Sequence, residues 1–160
     1  VFEKKIPHRE DNTVLRQTKP PDAILFGLGR FGGNIALALQ KDGYQILAVD
    51  FDPKQVKFWQ AQGILAKYGD IEDPDLPEQV PLDKSSVVIS SLADVQLNLG
   101  LIRLLKYTGY KGKIAVTAHR ALDALTLQQE ENIIVLLPFA DAAASITSKI
   151  FKRTEELDKI

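Results

Sequence analysis

The chain contains no cysteine and no methionine. Without cysteine there is no disulfide framework and no thiol nucleophile, and a reducing compartment is permitted. The missing methionine, with Val1 as first residue, leads to the expectation of a domain excised from a longer protein. A dominant charge is also lacking: 20 Lys and Arg against 21 Asp and Glu leave a formal net charge of −1. The whole domain thus has no electrostatic drive toward nucleic acid or an anionic membrane. No uncharged apolar run approaches the ~18–20 residues that span a bilayer. The longest candidate, Ile133 to Ala140, is short and contains Pro138. Residues 1–10 hold scattered charges and no signal-peptide core. Internal repeats and low-complexity tracts are absent.

What remains is ordinary globular composition, 45% hydrophobic and 26% charged over 160 residues, which suits one domain with a single core. Residues 1–21 read as a linker or arm, with Lys4, Lys5, Arg9, Arg16 and Lys19 set against Glu3, Glu10 and Asp11 and little to bury. Pro20-Pro21 stiffens the chain where the domain begins.

From Ala23 onward apolar runs alternate with helical periodicity. Strands are expected at Ala23–Phe26, Tyr44–Val49, Ile64–Tyr68, Val87–Ser90, Ile114–Ala118 and Ile133–Leu137. Helices are expected over 32–41, 53–62, 94–107, 122–129 and 141–157, with a short one after Pro74 that points Leu76 and Val80 inward. The last is amphipathic, with Ile146, Ile150 and Phe151 on one side. Strands and helices alternating at this spacing imply an α/β fold, a doubly wound, six-stranded and mainly parallel sheet with helices on both faces. Ligands in such sheets bind beyond the carboxyl ends of the strands.

The most informative stretch lies at the first of those ends, Gly27-Leu28-Gly29-Arg30-Phe31-Gly32. Gly27 allows the tight turn out of the strand, Gly29 lets the backbone approach a pyrophosphate, and Gly32 lets the helix pack close to the sheet. The helix start then offers unpaired N–H groups and a partial positive charge to phosphate. An acid, Asp50, ends the next strand 18 residues past Gly32. This strand–turn–helix–strand–acid context makes a Rossmann-like dinucleotide site, and a carboxylate at Asp50 suits ribose hydroxyls and repels a 2′-phosphate. NAD or an adenine nucleotide is therefore favoured over NADP, and Phe51 stands where an NADP reader often has a basic residue. Asp52 is read first as a cap of the helix starting at Pro53.

Other residues leave alternatives open. Arg30 either reaches phosphates or stays in solvent. Ser90 and Ser91 either meet the ligand or cap the following helix. His119 is the better of two histidines for acid–base chemistry, but no nucleophile pattern or carboxylate pair accompanies it, which favours a structural or ligand-edge role. The acidic run Asp70, Glu72, Asp73, Asp75, Glu78 matches no calcium-loop spacing and reads as a solvated loop. Tyr107 and Lys111 have the Tyr-x-x-x-Lys spacing of short-chain dehydrogenases, but Gly109 between them marks a helix end.

The glycine turn with Arg30 and Phe31, Val49-Asp50-Phe51-Asp52-Pro53, Gly69-Asp70-Ile71, Asn98 and Pro138 together resemble the RCK domain, also called the TrkA-N or KTN domain, of potassium channels and transporters. The resemblance covers about residues 22–150, and the stretch from Pro138 to Ala143 is most similar to the Kef-type cation/proton antiporter branch. The second lobe of many channel-linked members is missing, which reflects either truncation or genuine lack.

The resemblance implies a regulatory domain that binds NAD(H), AMP, ADP or ATP. It would sit on the cytoplasmic side of the cell membrane and control monovalent cation transport, potassium above all, by an attached channel or antiporter domain of the same parent chain. By position, Gly27, Gly29, Arg30 and Phe31 would face phosphates, Asp50 the ribose, and Asp70 with Ile71 the adenine, which Gly69 helps to frame; the turn Ser90, Ser91, Leu92 would line the pocket, and Gly32 and Phe51 would belong to the same cofactor site. The chain would divide into the linker, a nucleotide-binding domain over 22–140 and a crossover or interface helix over 141–160, whose apolar face pairs with a second copy. No catalysis and no metal are expected. The alternatives are the cofactor domain of an NAD-dependent dehydrogenase, which needs a substrate domain elsewhere, and a docking module with a vestigial pocket.

Overall fold

The computed structural model describes residues 19–157. The expected linker thus lies, through residue 18, outside the described residues, as do residues 158–160 of the final segment. In chain order the elements are β1 (Ala23–Phe26), α1 (Arg30–Lys41), β2 (Ile46–Asp50), α2 (Pro53–Ala61), β3 (Ala66–Tyr68), α3 (Leu76–Gln79), a 3-10 turn at Leu82–Lys84, β4 (Val87–Ser90), α4 (Val95–Tyr107), β5 (Lys113–Thr117), α5 (Ala121–Leu127), β6 (Ile133–Leu136) and α6 (Pro138–Leu157).

The six strands form one sheet in the order β3-β2-β1-β4-β5-β6. Every pairing is parallel, with Ala23 opposite both Ile46 and Val87. This is the doubly wound, Rossmann-like arrangement, and it places the reversal of strand order between β1 and β4.

Strand alternation divides the core between the two faces of the sheet. Ile24 and Phe26 of β1 pack with Leu47, Val49 and Val88 against Leu76 of α3, Leu101, Ile102 and Leu105 of α4, and Leu127 of α5. Ala23 and Leu25 turn the other way, with Ile46 and Ala48, against Ala36 of α1 and Val56 of α2. Because both faces are covered, β1 is apolar at every position and buried throughout.

Two helices begin two or more residues earlier than their periodicity suggests. Helix α1 starts at Arg30 rather than residue 32, so Gly32 and Gly33 lie inside its first turn. Helix α6 starts at Pro138 rather than residue 141, with the ring at a first-turn position that needs no N–H partner. At the end of α4, Gly109 takes a positive φ of 74°, so Tyr107 and Lys111 do not share a helix face. Among the described residues no helix is long and apolar enough to cross a membrane.

Candidate functional site

Beyond the carboxyl ends of β1, β2 and β4 lie two neighbouring cavities. The larger, about 720 Å³, runs over the glycine turn and is bounded by Arg30, Asn34, Asp52, His119 and Phe139, among others. The smaller, about 270 Å³, lies between Phe26, Gly69, Ile71 and Leu97. Gly27, Asp50, Phe51 and Leu92 line both, so the two meet over the ends of β1 and β2.

The turn between them has a steric logic. Gly27 has φ 87°, a conformation that glycine adopts without cost. A Cβ at Gly32 would overlap the Gly27 carbonyl oxygen, so the first turn of α1 closes directly onto the turn. At Gly29 a Cβ would meet no protein atom within 4 Å, because that side of the backbone faces the cleft. Gly29 is also the N-cap of α1 and supplies no side-chain acceptor. Among the described residues no protein group accepts from the N–H groups of Gly29, Arg30, Phe31 or Gly32. By contrast, Asp52 caps α2 through the Lys54 N–H, and Asp94 caps α4 through the Gln96 and Leu97 N–H groups. The start of α1 thus presents several free donors and the positive end of a twelve-residue helix to the larger cavity.

Asp50 is buried, with 8% of its surface exposed, yet lines both cavities. Its Oδ2 accepts from the Leu28 N–H at 2.6 Å and its Oδ1 from the Asp52 N–H at 2.8 Å. Each carboxylate oxygen retains acceptor capacity after one such bond. Gly69 hydrogen-bonds to the Asp50 carbonyl, and a Cβ there would lie 2.6 Å from Val49 Cγ1, so the third-strand glycine is fixed by close packing beside the smaller cavity. Asp70 and Ile71 follow it along the same wall. Phe51 is 65% exposed and stands at the junction of the cavities.

The β4 end behaves differently from its expected role. Ser91 lines the larger cavity, and its hydroxyl donates to the Gly27 carbonyl at 3.0 Å. Ser90 does not reach either cavity. It sits in register with Phe26 and Val116 in the middle of the sheet, fully buried, and its Oγ accepts from the Leu92 N–H. Neither serine caps α4, since Asp94 does so. Of the two serines expected along the pocket, Ser91, just past the end of β4, lines the larger cavity, and Ser90, the last residue of the strand, is buried beneath it.

Asn98 organises this wall from behind. It is fully buried, and its Nδ2 donates to the carbonyls of Leu92, at 2.9 Å, and Thr117, at 3.0 Å. The Thr117 hydroxyl donates in turn to the Ser90 carbonyl at 2.7 Å. The ends of β4 and β5 are thereby tied together beneath Leu92.

The far wall of the larger cavity is the part that sequence reasoning missed. Pro138, Phe139 and Ala142 of α6 line it, and Phe139 meets His119 edge-on with ring centroids 4.9 Å apart. Asn34 of α1, Gln55 of α2 and Ala93 also line the cavity and were not expected there. Pro138 after an apolar strand was the available signal for this helix start. Nothing in the sequence pattern signals that the helix folds back over the glycine turn. Beside His119, Arg120 is engaged elsewhere: its guanidinium donates to both Asp123 oxygens, at 2.7 and 2.9 Å. That hydrogen bond holds the Asp123 carboxyl below its ordinary 3.8 and raises the arginine above its own ordinary value.

Among the described residues no three His, Cys, Asp or Glu side chains gather as a metal site. In the acidic loop, Asp70 accepts from the Glu72 N–H, and Asp73 from the Asp75 N–H and the Gln79 side chain. These carboxylates shape their own turns.

The TrkA-N domain family matches residues 23–145. KefC of Escherichia coli (strain E24377A), a glutathione-regulated potassium-efflux system protein, is 33% identical over 86 residues. That match takes in 54% of this chain and 14% of KefC, so the chain spans a small part of its curated relative. The NAD(P)-binding domain of an exopolyphosphatase-related protein from Archaeoglobus fulgidus superposes with a TM-score of 0.72 at 20% identity, covering 82% of this chain and 98% of that one. The AMP-bound Kef CTD of Shewanella denitrificans gives 0.68 at 20% identity, covering 86% and 89%. With its parallel sheet, its glycine turn and a family match that runs from β1 into α6, the chain belongs to the TrkA-N domain family.

Proposed function

We propose that this chain is a nucleotide-sensing regulatory domain that binds NAD(H), AMP, ADP or ATP and has no chemistry of its own. The observation that carries the reading is the junction of the two cavities at Gly27, Asp50, Phe51 and Leu92, beneath the uncapped start of α1. An adenine against Gly69, Asp70 and Ile71 would put its ribose at Asp50 and its phosphates over Gly29 and Arg30. A second nucleoside, where the ligand has one, would extend toward His119 and Phe139. The AMP in the Kef relative and the NAD(P) site of the archaeal domain support this class of ligand.

Through the same analogy with KefC, the domain would regulate potassium or another monovalent cation through a channel or cation/proton antiporter domain of its parent protein, from the cytoplasmic side. The helix α6 would pair two copies. Ligand would act by favouring one arrangement of the pair, and only a difference in affinity between arrangements can do so.

Calorimetric and thermal-shift titration with NAD, NADH, NADPH, AMP, ADP and ATP tests the reading. At a ligand concentration 100-fold above Kd the domain should gain about 2.7 kcal/mol. Asp50→Ala should abolish or strongly weaken binding. Absence of binding across the panel, or sustained hydride transfer by the chain alone, would overturn the proposal.

A further inference from the structure

The glycine turn that serves a phosphate has a weakness of its own. Glycine on either side of Leu28 leaves the two peptides that flank this residue free to rotate, since glycine tolerates conformations that other residues avoid. A phosphate-binding turn needs its N–H groups held in one direction. The structure contains two clamps that do this, both from residues outside the turn.

The first clamp is Asp50, which accepts the Leu28 N–H and so fixes the peptide before Leu28. The second is Trp59 of α2, 31 residues from the turn, whose Nε1–H donates to the Leu28 carbonyl at 2.7 Å. That carbonyl belongs to the peptide joining Leu28 to Gly29. In a planar trans peptide the C=O and the following N–H point in opposite directions. A carbonyl drawn toward α2 therefore sends the Gly29 N–H away from α2. That N–H has no acceptor among the described residues, and Gly29 lines the larger cavity.

The indole is itself held firmly. A Cβ on Gly33 would overlap its six-membered ring, so the tryptophan lies directly on the backbone of α1. Phe58 packs against it edge-on, with ring centroids 5.3 Å apart and planes at 89°. Packing on α1 and the bond to Leu28 thus fix α2, α1 and the turn as one unit. Indole nitrogen donates only, so its partner must be an acceptor, and here that acceptor is the Leu28 carbonyl.

We propose that Trp59 is a positioning residue of the phosphate-binding turn, which orients the Gly29 N–H toward a ligand phosphate by holding the Leu28 carbonyl. This rests on the nucleotide reading above and assigns to that site a determinant outside the glycine motif. The role is specific to phosphate: a nucleoside without phosphate does not use the Gly29 N–H.

Calorimetry on the wild-type chain and on Trp59→Phe, with ADP and with adenosine, tests it. Phenylalanine can occupy the space over Gly33 but cannot donate. The expected result is a roughly fivefold loss of ADP affinity, the scale of one neutral hydrogen bond, with adenosine affinity unchanged. Equal losses for both ligands, or none for ADP, overturn the clamp while leaving the nucleotide reading intact. A wild type that binds neither ligand, nor any other nucleotide of the panel, overturns both. Since Trp59 is the only tryptophan, its indole N–H gives a single resonance in the wild type, whatever the variant's stability. Its hydrogen exchange should slow on addition of ADP and not of adenosine; an exchange rate indifferent to ADP overturns the proposal.

Discussion

Asp50 and Leu28 are 22 residues apart in sequence and joined by a 2.6 Å hydrogen bond from the leucine N–H to the carboxylate. The bond ties the end of β2 to the turn between β1 and α1, while the other carboxylate oxygen holds the Asp52 N–H at the start of α2. One buried side chain therefore fixes the geometry of the turn and faces both cavities. Stability and ligand contact cannot be separated at this residue by deletion alone.

A graded pair of substitutions separates them. Asp50→Ala strands two N–H groups and should cost about 2–3 kcal/mol in urea denaturation. Asp50→Asn keeps one acceptor oxygen and should cost about half as much. Both should lose nucleotide affinity, because neither offers ribose a charged acceptor. Equal stability losses in the two variants would show that the backbone bonds do not carry the effect.

The glycines make opposite predictions. Gly29→Ala adds a methyl group into open cleft, at φ −63°. Stability should change by less than about 1 kcal/mol, while ADP binding falls at least tenfold because the methyl group occupies the phosphate's approach. Gly32→Ala drives a methyl group into the Gly27 carbonyl, which is backbone and cannot yield. It should destabilise by about 2–3 kcal/mol. Measured side by side, a stable non-binder and an unstable variant are expected; a Gly29→Ala chain that binds ADP normally contradicts the assigned phosphate position.

Acid should weaken the fold through two hydrogen-bonded carboxylates, Asp123 and Asp22. Hydrogen bonding by Arg120 holds Asp123 below 3.8, and the Gln45 N–H, with Lys19, does the same for Asp22. A carboxyl whose folded value lies below its unfolded one stabilises the fold above the unfolded value, here 3.8, and loses that contribution as pH falls through the folded one. Asp123→Asn should therefore be less stable than wild type at neutral pH. The gap should close as denaturation midpoints are followed below about pH 4. A gap that stays constant into acid would show that it does not come from the ionised pair.

How much of this was legible in the chain depends on distance along it. The glycine turn and Asp50 announce themselves because each is set by local backbone demands, a positive φ at Gly27 and a strand end at Asp50, whereas Gly69-Asp70 is legible only through the family resemblance, since what fixes Gly69 is a contact with Val49, 20 residues away. Ser90 and Ser91 look alike in sequence, and only the place where β4 ends decides which of them lines the larger cavity. Trp59 and Phe139 carried no signal. Their roles arise from packing, one across α1 onto the turn and one from α6 back over the cavity, and neither spacing nor residue type reports such a return.

The apolar face of α6 is where the proposed pairing of two copies can be tested. Phe139 and Ile146, seven residues apart, fall on one side of the helix and are 66% and 56% exposed. Phe151 is 66% exposed as well. Phe139 is a poor test site because it also lines the larger cavity, so its loss would confuse pairing with ligand contact. Ile146 lines no cavity among those described and is half solvated, so Ile146→Glu should leave the monomer's stability within about 0.5 kcal/mol. A buried apolar interface would not accept the charge. Light scattering after size exclusion at micromolar concentration should then show a wild-type dimer and an Ile146→Glu monomer. The wild-type melting temperature should rise with protein concentration and that of the variant should not. A wild-type chain that is monomeric throughout, or a variant that dimerises equally well, would remove α6 from the proposed interface.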